Sequence, residues 1–210
     1  MSEMNERVLS RSPRDRGPET ERRLLNATLQ CLRTHGIGGT TSRQITSTAG
    51  VNLAAITYHF GSKDELVAQA LAHATRRWLE PVLEVLGRDQ DPAVRMIAAV
   101  SAFRTAFDDA REILPAYFQA LVQAPRSPAV QAVMNETVDE FRGILTRQTT
   151  EMRTAGYLPS WVVPEAMATV LIAILDGLAL QAIINPEALN PDVVLGQVVN
   201  LLMAVRTGQS

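Results

Sequence analysis

Apolar residues recur at three- and four-residue spacing along most of the chain, the period of helices with one buried face. In residues 19–35, Leu24, Leu25, Thr28, Cys31 and Leu32 fall on one stripe, with Arg22, Arg23, Asn26 and Arg33 off it. Gly36 ends this helix, because glycine takes the left-handed cap conformation cheaply. Thr41 followed by Gln44 is a capping-box pattern that starts a helix of about two turns. Ile45 and Ala49 face inward on it, and Gly50 ends it. Asn52 caps a second short helix through Phe60, Gly61 breaks the chain again, and Ser62 with Glu65 forms a second capping box.

Longer helices are predicted over 63–87, 92–109, 111–124, 128–155, 164–184 and 191–206. Pro92, Pro125, Pro128, Pro159, Pro164, Pro186 and Pro191 fall at their boundaries, where proline is tolerated. Pro115 lies near the start of its helix. The stretch VVLGQVVNLLMAV within 191–206 is rich in β-branched residues and is a strand by propensity alone; with no other strand to pair with, it reads as helix. Residues 1–18, with Pro13, Gly17, Pro18 and several arginines, read as a flexible arm.

Composition narrows the class. The chain has 210 residues, 46% hydrophobic and 20% charged, enough apolar material for a sizeable core. One cysteine makes no internal disulfide, and no Cys/His cluster offers a zinc site, so the expectation is a reduced, cytoplasmic protein without metal or other cofactor. The first residues lack the apolar run of a secretory signal. Residues 161–184 are apolar enough to raise the question of a membrane span. Asp176 at their centre would cost roughly 2.5–3.5 kcal/mol in a bilayer, so a buried helix and no membrane partner are expected.

The net charge of −2 hides an asymmetry. Residues 1–63 carry eight Arg and one Lys against five acids, net +4, and the remainder is net −6. A basic front on an acidic body suggests an anionic partner for the front alone; a solvated Arg-rich tail is the alternative.

The segment 41–60 says which anion. Two short helices joined by a glycine-containing turn make a helix-turn-helix, whose second helix enters the DNA major groove. On that helix Ile56 and Phe60 lie within about 40° of each other and mark the buried stripe. Ala54 and Tyr58 then point to solvent, with Leu53 and Thr57 on a flank. Residues 51–60 contain no charged side chain, which is unusual for an exposed helix unless it meets another surface. On DNA, its apolar groups suit thymine methyls, and the Thr57 and Tyr58 hydroxyls suit base edges or phosphates. Packing against a neighbouring helix is the competing explanation. Arg43, at the start of the preceding helix, is the side-chain type that most often pairs with guanine, or else a solvated surface group. Lys63, the chain's one lysine, sits in the first turn of a helix, where the macrodipole disfavours a cation unless a phosphate is bound. His59 reads as a hydrogen-bonding partner of backbone or phosphate.

The stretch GIGGTTSRQITSTAGVNLAAITYHFGSKDELVAQAL resembles the helix-turn-helix of TetR/AcrR-type transcriptional regulators. The likeness rests on Gly36, Thr41, Ile45, Ala49-Gly50-Val51, Ile56, Phe60 and Ser62-Lys63, within residues 20–70. It implies that Thr41, Ser42, Arg43, Leu53, Ala54, Thr57, Tyr58, His59 and Lys63 face DNA. Thr46 stands where the family usually has Ala, and Thr57 where it commonly has Tyr. The implied fold is all-α: a three-helix helix-turn-helix DNA-binding head (19–65) on a larger helical body (66–210) that binds an effector and dimerises.

The body's own pattern agrees with dimerisation. Helices 164–184 and 191–206 are apolar nearly all round, so one face must bury beyond the protomer. Gly177, Ala179, Ala182 and Gly196 would allow close helix approach in a homodimer; a wholly internal helix pair is the alternative. Candidate walls of a small-molecule effector pocket are Phe103, Phe107, Tyr117, Phe118, Met134, Phe141 and Met152, with Arg104 and His73 as polar ends. Such a set is equally the content of a plain core. No nucleophile–base pair, metal motif or phosphate loop points to an enzyme. The mechanism expected is a repressor that binds a double-stranded palindromic operator as a homodimer and responds to an effector.

Overall fold

The computed structural model describes residues 13–185 together with Asn190, Val193, Val194, Gly196, Gln197 and Asn200. Among these there is no strand. The elements are α1 (Pro13–Gly39), α2 (Ser42–Ala49), α3 (Ala54–Phe60), α4 (Lys63–Leu86), α5 (Pro92–Ala110), α6 (Leu114–Gln123), a 3₁₀ turn (Ala124–Arg126), α7 (Pro128–Thr154) and α8 (Pro164–Ile184). The described residues divide into two compact units, the boundary falling after Ala70. Sequence pattern put it at 65/66; the first turns of α4 in fact pack with the N-terminal unit, where Leu66 joins its core.

Local chemistry sets the boundaries. α1 begins at Pro13, inside the segment expected to be an arm, since proline's fixed φ suits a first helical turn. Pro18 lies within it and removes one N–H near its start. At Gly36 the helix breaks (φ 66°, ψ −179°). Thr41 and Gln44 form the full capping box of α2. Asn52 Oδ1 accepts from the Ala55 amide at 3.0 Å, which holds the entry to α3. The amide of Glu65 donates to Ser62 Oγ at 3.1 Å at the head of α4. α4 continues through Pro81, a helix-interior proline that the sequence pattern passed over. α6 starts at Leu114 rather than 111, with Pro115 in its first turn. The helix expected over 191–206 lies outside the described residues except at isolated positions.

The N-terminal unit is organised by one small core. Leu24, Ala27 and Cys31 of α1 pack with Ile45, Ala49, Ile56, Phe60 and Leu66. The Cys31 thiol is buried there, 3.8 Å from Thr48 Oγ1. In the C-terminal unit α8 packs on α7 and α6, and α7 also meets α5. Met152 sits in a separate cluster with Leu158 and Val162. α8 is the one described helix long and apolar enough to cross a membrane, yet it carries Asp176 and packs within this unit.

Candidate nucleic-acid interface and body cavity

α3 is anchored by two side chains and otherwise bare. Ile56 and Phe60 are buried in the small core, whereas Tyr58 is 84% exposed and Leu53 51% exposed. Ala54 and Thr57 are exposed as well. The chain thus spends a large aromatic and a leucine on solvent, in a helix without charge. Apolar surface removed from water is worth about 25 cal/mol per Å². A folded domain normally captures that gain, so this face leaves apolar surface open to a partner.

The turn before α3 is locked from behind. Gly50 adopts a left-handed conformation (φ 63°) at the C-terminus of α2. Arg23 of α1 donates to the carbonyls of Ala49 and, at 3.1 Å, Gly50. A Cβ at Gly50 would lie 2.7 Å from the Arg23 guanidinium. Glycine is therefore favoured here by its φ, and a Cβ would in addition make the end of the flexible Arg23 side chain shift. From sequence Arg23 is placed only off the apolar stripe of α1. Its signal was available only as a cation opposite a helix C-terminus, which needs the fold to be seen.

Other expected contact residues carry internal tasks. Thr41 Oγ1 donates to Gln44 Oε1 at 2.7 Å, and the Gln44 amide donates to Thr41 Oγ1 at 3.3 Å. Thr46, in place of a small apolar residue, is buried with its hydroxyl donating to the Ser42 carbonyl at 2.9 Å, so no polar group is stranded. His59 turns toward α1, its Nδ1 3.1 Å from Glu21 Oε1. This pair ties α3 to α1 and leaves Nε2 for any further partner. Lys63 Nζ donates to the Thr40 carbonyl at 3.2 Å and lies 3.9 Å from Asp64. These contacts offset its unfavourable position at a helix start and aim the ammonium back toward the head of α2. Arg43 is exposed and Ser42 half-buried at that same helix start.

The C-terminal unit encloses a cavity of about 80 Å³ among α4, α5, α6, α7 and α8. Phe103, Phe107, Tyr117, Phe118 and Phe141 all stand on its wall, joined by Trp78. The rings of Trp78 and Tyr117 lie 6.0 Å apart edge to face, and those of Tyr117 and Phe118 5.6 Å. Met134 is buried elsewhere, beside Leu121 and Asn135, and Met152 lies in its own cluster. His73 and Arg104 are exposed and off the cavity wall. The charged residue that does line it is Asp176 of α8. The polar ends expected from sequence, His73 and Arg104, thus lie off the wall; Asp176, at the centre of an otherwise apolar stretch of α8, reads from sequence as a membrane penalty, and only the packing of α8 places it here.

Burial pushes the Asp176 carboxyl above its ordinary value of 3.8. Burial, with the nearby Asp176 charge as the lesser cause, pushes the Tyr117 phenol up to about 12, so it stays protonated. The hydroxyls of Thr75 and Thr137 on the same wall donate to their own helix carbonyls, Leu71 and Val133, each at 2.9 Å. The cavity wall is therefore largely aromatic and apolar, with Asp176 its one acid.

Comparison with known proteins agrees with this division. Residues 24–70 match the model for bacterial regulatory proteins of the tetR family, and residues 92–206 that for the C-terminal part of BetI-type transcriptional repressors. The HTH-type transcriptional regulator BetI of Brucella anthropi is 28% identical over 52% of this chain, and the match spans only 57% of that relative's length. A putative transcriptional regulator of Pseudomonas aeruginosa PAO1 superposes with a TM-score of 0.72 at 28% identity, covering 97% of both chains. A putative transcriptional regulator of Saccharomonospora viridis, solved in complex with choline, shares the fold (TM-score 0.70, 20% identity, 89% and 96% coverage).

Proposed function

This chain belongs to the TetR family of bacterial regulatory proteins, and from that premise we propose that it is a homodimeric repressor whose paired α3 helices read an inverted-repeat operator and which a small organic cation releases. Family membership makes it a DNA-binding transcriptional regulator rather than an enzyme. The observation that carries the DNA reading is the exposed, uncharged face of α3 around Tyr58, held by Ile56 and Phe60. Leu53, Ala54, Thr57 and Tyr58 meet base edges and methyls; Arg43 reads a guanine. Thr41, Ser42 and Lys63 serve the phosphates, and His59 orients α3 through Glu21 while offering Nε2.

Dimerisation is supported by α8. Ala166, Val170, Ala173, Gly177, Leu180 and Ile184 repeat at spacings of four and three and so form one stripe. All are exposed or half-buried, Ile184 at 74%. Small Ala173 and Gly177 at its middle permit close approach of a second α8, and a Cβ at Gly177 would meet nothing. Ala179 and Ala182, expected on this seam, instead pack inward against Phe107 and Leu114.

The cation follows from the wall of the cavity. Aromatic faces carry negative charge density and attract a cation within about 6 Å of the ring centre. A buried carboxylate that is unfavourable alone becomes favourable beside a positive ligand. Choline in the fold relative from Saccharomonospora viridis is a ligand of this chemistry. The test has two stages. DNA selected from a random library by this protein should yield an inverted repeat. Choline should then release that DNA, whereas 3,3-dimethylbutanol, its uncharged carbon isostere, should not. Recovery of no repeat overturns the operator reading; equal release by the isostere overturns the cation.

A further inference from the structure

Side chains read bases in few ways. Guanine takes a bidentate Arg or Lys, adenine a bidentate Asn or Gln, and cytosine an Asp or Glu acceptor, while thymine offers its C5 methyl to an apolar group. Across residues 41–60 the fold has already committed most of the polar readers. Gln44 Oε1 accepts from the Thr41 hydroxyl at 2.7 Å and from the Thr41 amide at 2.8 Å, so its acceptor capacity is full. Asn52 Oδ1 accepts from the Ala55 amide at 3.0 Å, which turns its amide group onto the backbone of α3. Neither is free to offer adenine an oxygen and a nitrogen together. No acid lies between Thr41 and Phe60. The His59 side chain is 10% exposed, with its Nδ1 on Glu21. Arg43, exposed at the start of α2, is the one guanidinium of these two helices.

What the start of α3 presents instead is hydrocarbon. In a helix-turn-helix the N-terminal residues of the second helix reach the base edges. Here these are Leu53, half exposed, and Ala54, exposed, with exposed Thr57 carrying a further methyl one turn on. We propose that Leu53 and Ala54 are specificity-determining residues and that α3 recognises 5-methylpyrimidines, the methyl groups of thymines in the major groove. The inference rests on the operator reading above and states which bases that operator must show. A thymine methyl seated on Leu53 covers apolar surface that the protomer leaves in water. Cytosine bears hydrogen at the same ring carbon and an amino group where thymine has O4, and no side chain at the start of α3 is a carboxylate acceptor for that amino group. A cytosine methylated at C5 carries the recognised group in the same place.

The inverted repeat selected from random DNA supplies the probe. The full chain is titrated by fluorescence anisotropy with that duplex and with duplexes in which each thymine in turn is deoxyuridine, which keeps the base pair and loses only the methyl. At least one thymine in each half-site should then bind about fourfold more weakly, the worth of one buried methyl-sized group. At that position a T·A to C·G exchange should weaken binding further, and 5-methylcytosine in place of the cytosine should regain about fourfold. Leu53 lies outside the small core, so Leu53→Ala folds, and in it the uracil penalty should shrink to below about twofold at the thymine that Leu53 covers. A repeat that binds equally well with uracil throughout overturns methyl reading and leaves the operator reading standing, as does a repeat whose essential base pairs contain no thymine. A uracil penalty that Leu53→Ala leaves unchanged at every thymine overturns the role of Leu53. Recovery of no repeat overturns both readings together.

Discussion

Tyr58 costs the isolated head nothing if removed, because its ring touches little but the edge of His59 at 4.8 Å between centroids. Tyr58→Ala should therefore leave the melting temperature within about a degree, consistent with surface changes worth under about 0.5 kcal/mol, while operator affinity falls at least tenfold. Lys63→Ala should weaken binding to all sequences about equally and lower the salt slope by about one, whereas Arg43→Ala should relax preference at one base pair, at about 1–3 kcal/mol. Gel shifts on operator and scrambled duplexes separate these roles; exchanged phenotypes would exchange the assignments. Asp176 works in the opposite sense. Its folded pKa is raised, so ionising it costs the folded state, and stability falls as pH climbs from the ordinary carboxylate value through the raised one. Asp176→Asn should raise the melting temperature of the ligand-free protein at neutral pH and leave it unchanged in acid below the ordinary range. The same substitution should abolish choline binding. In the unaltered protein, choline affinity should grow with pH across that window, one proton being released per cation bound.

At the level of elements, the helix-turn-helix is held by ends rather than by length. α2 and α3 have eight and seven residues, too few to be stable alone. Their persistence depends on the Thr41–Gln44 box, on Arg23 at the C-terminus of α2, and on Ile45, Ile56 and Phe60 in the core. Thr41→Ala should cost about 1 kcal/mol. Gly50→Ala should cost at least roughly 1–2 kcal/mol from its left-handed backbone alone, with displacement of Arg23 in addition. Urea unfolding reads both. α8 makes its prediction through the exposed stripe. Val170→Glu or Leu180→Glu should shift the protein from dimer to monomer by analytical ultracentrifugation and cut affinity for an inverted repeat far more than for a single half-site, while leaving the protomer's inward face of Ala168, Leu178 and Ala182 intact.

For the whole molecule, what matters is coupling between a DNA-binding unit and a ligand-binding unit that share α4 as their covalent connection. A cation releases DNA only to the extent that it prefers one of two states. With a typical coupling of roughly 1–3 kcal/mol, choline should lower operator affinity about 5–150-fold, and operator should lower choline affinity by the same factor. Measuring both arms tests the linkage directly, since unequal factors would mean that more than one equilibrium is being read.

Much of this was written in local chemistry. The breaks at Gly36, Gly50 and Gly61, the Thr41–Gln44 capping box, the Ser62 cap on Glu65 and the bare face of α3 each depend on residues close in sequence, and a helix's period is set by its own backbone. The cavity was half legible: five aromatic residues were picked because aromatic rings are few and recur at helical spacing. Met134 and Met152 were grouped with them although they pack elsewhere, since methionine fills whatever gap is nearest. The sequence alone determined helix class, the glycine-marked helix ends and the buried stripe of the first three helices; the start of α1, the start of α6 and the inward face of α8 came from the fold. Only the tertiary structure decided which distant groups meet: Arg23 on the end of α2, Glu21 on His59, Asp176 among the rings, Arg95 and Gln148 on the carbonyl of Leu86. Those pairings join residues tens of positions apart, and no local periodicity carries the distance between them.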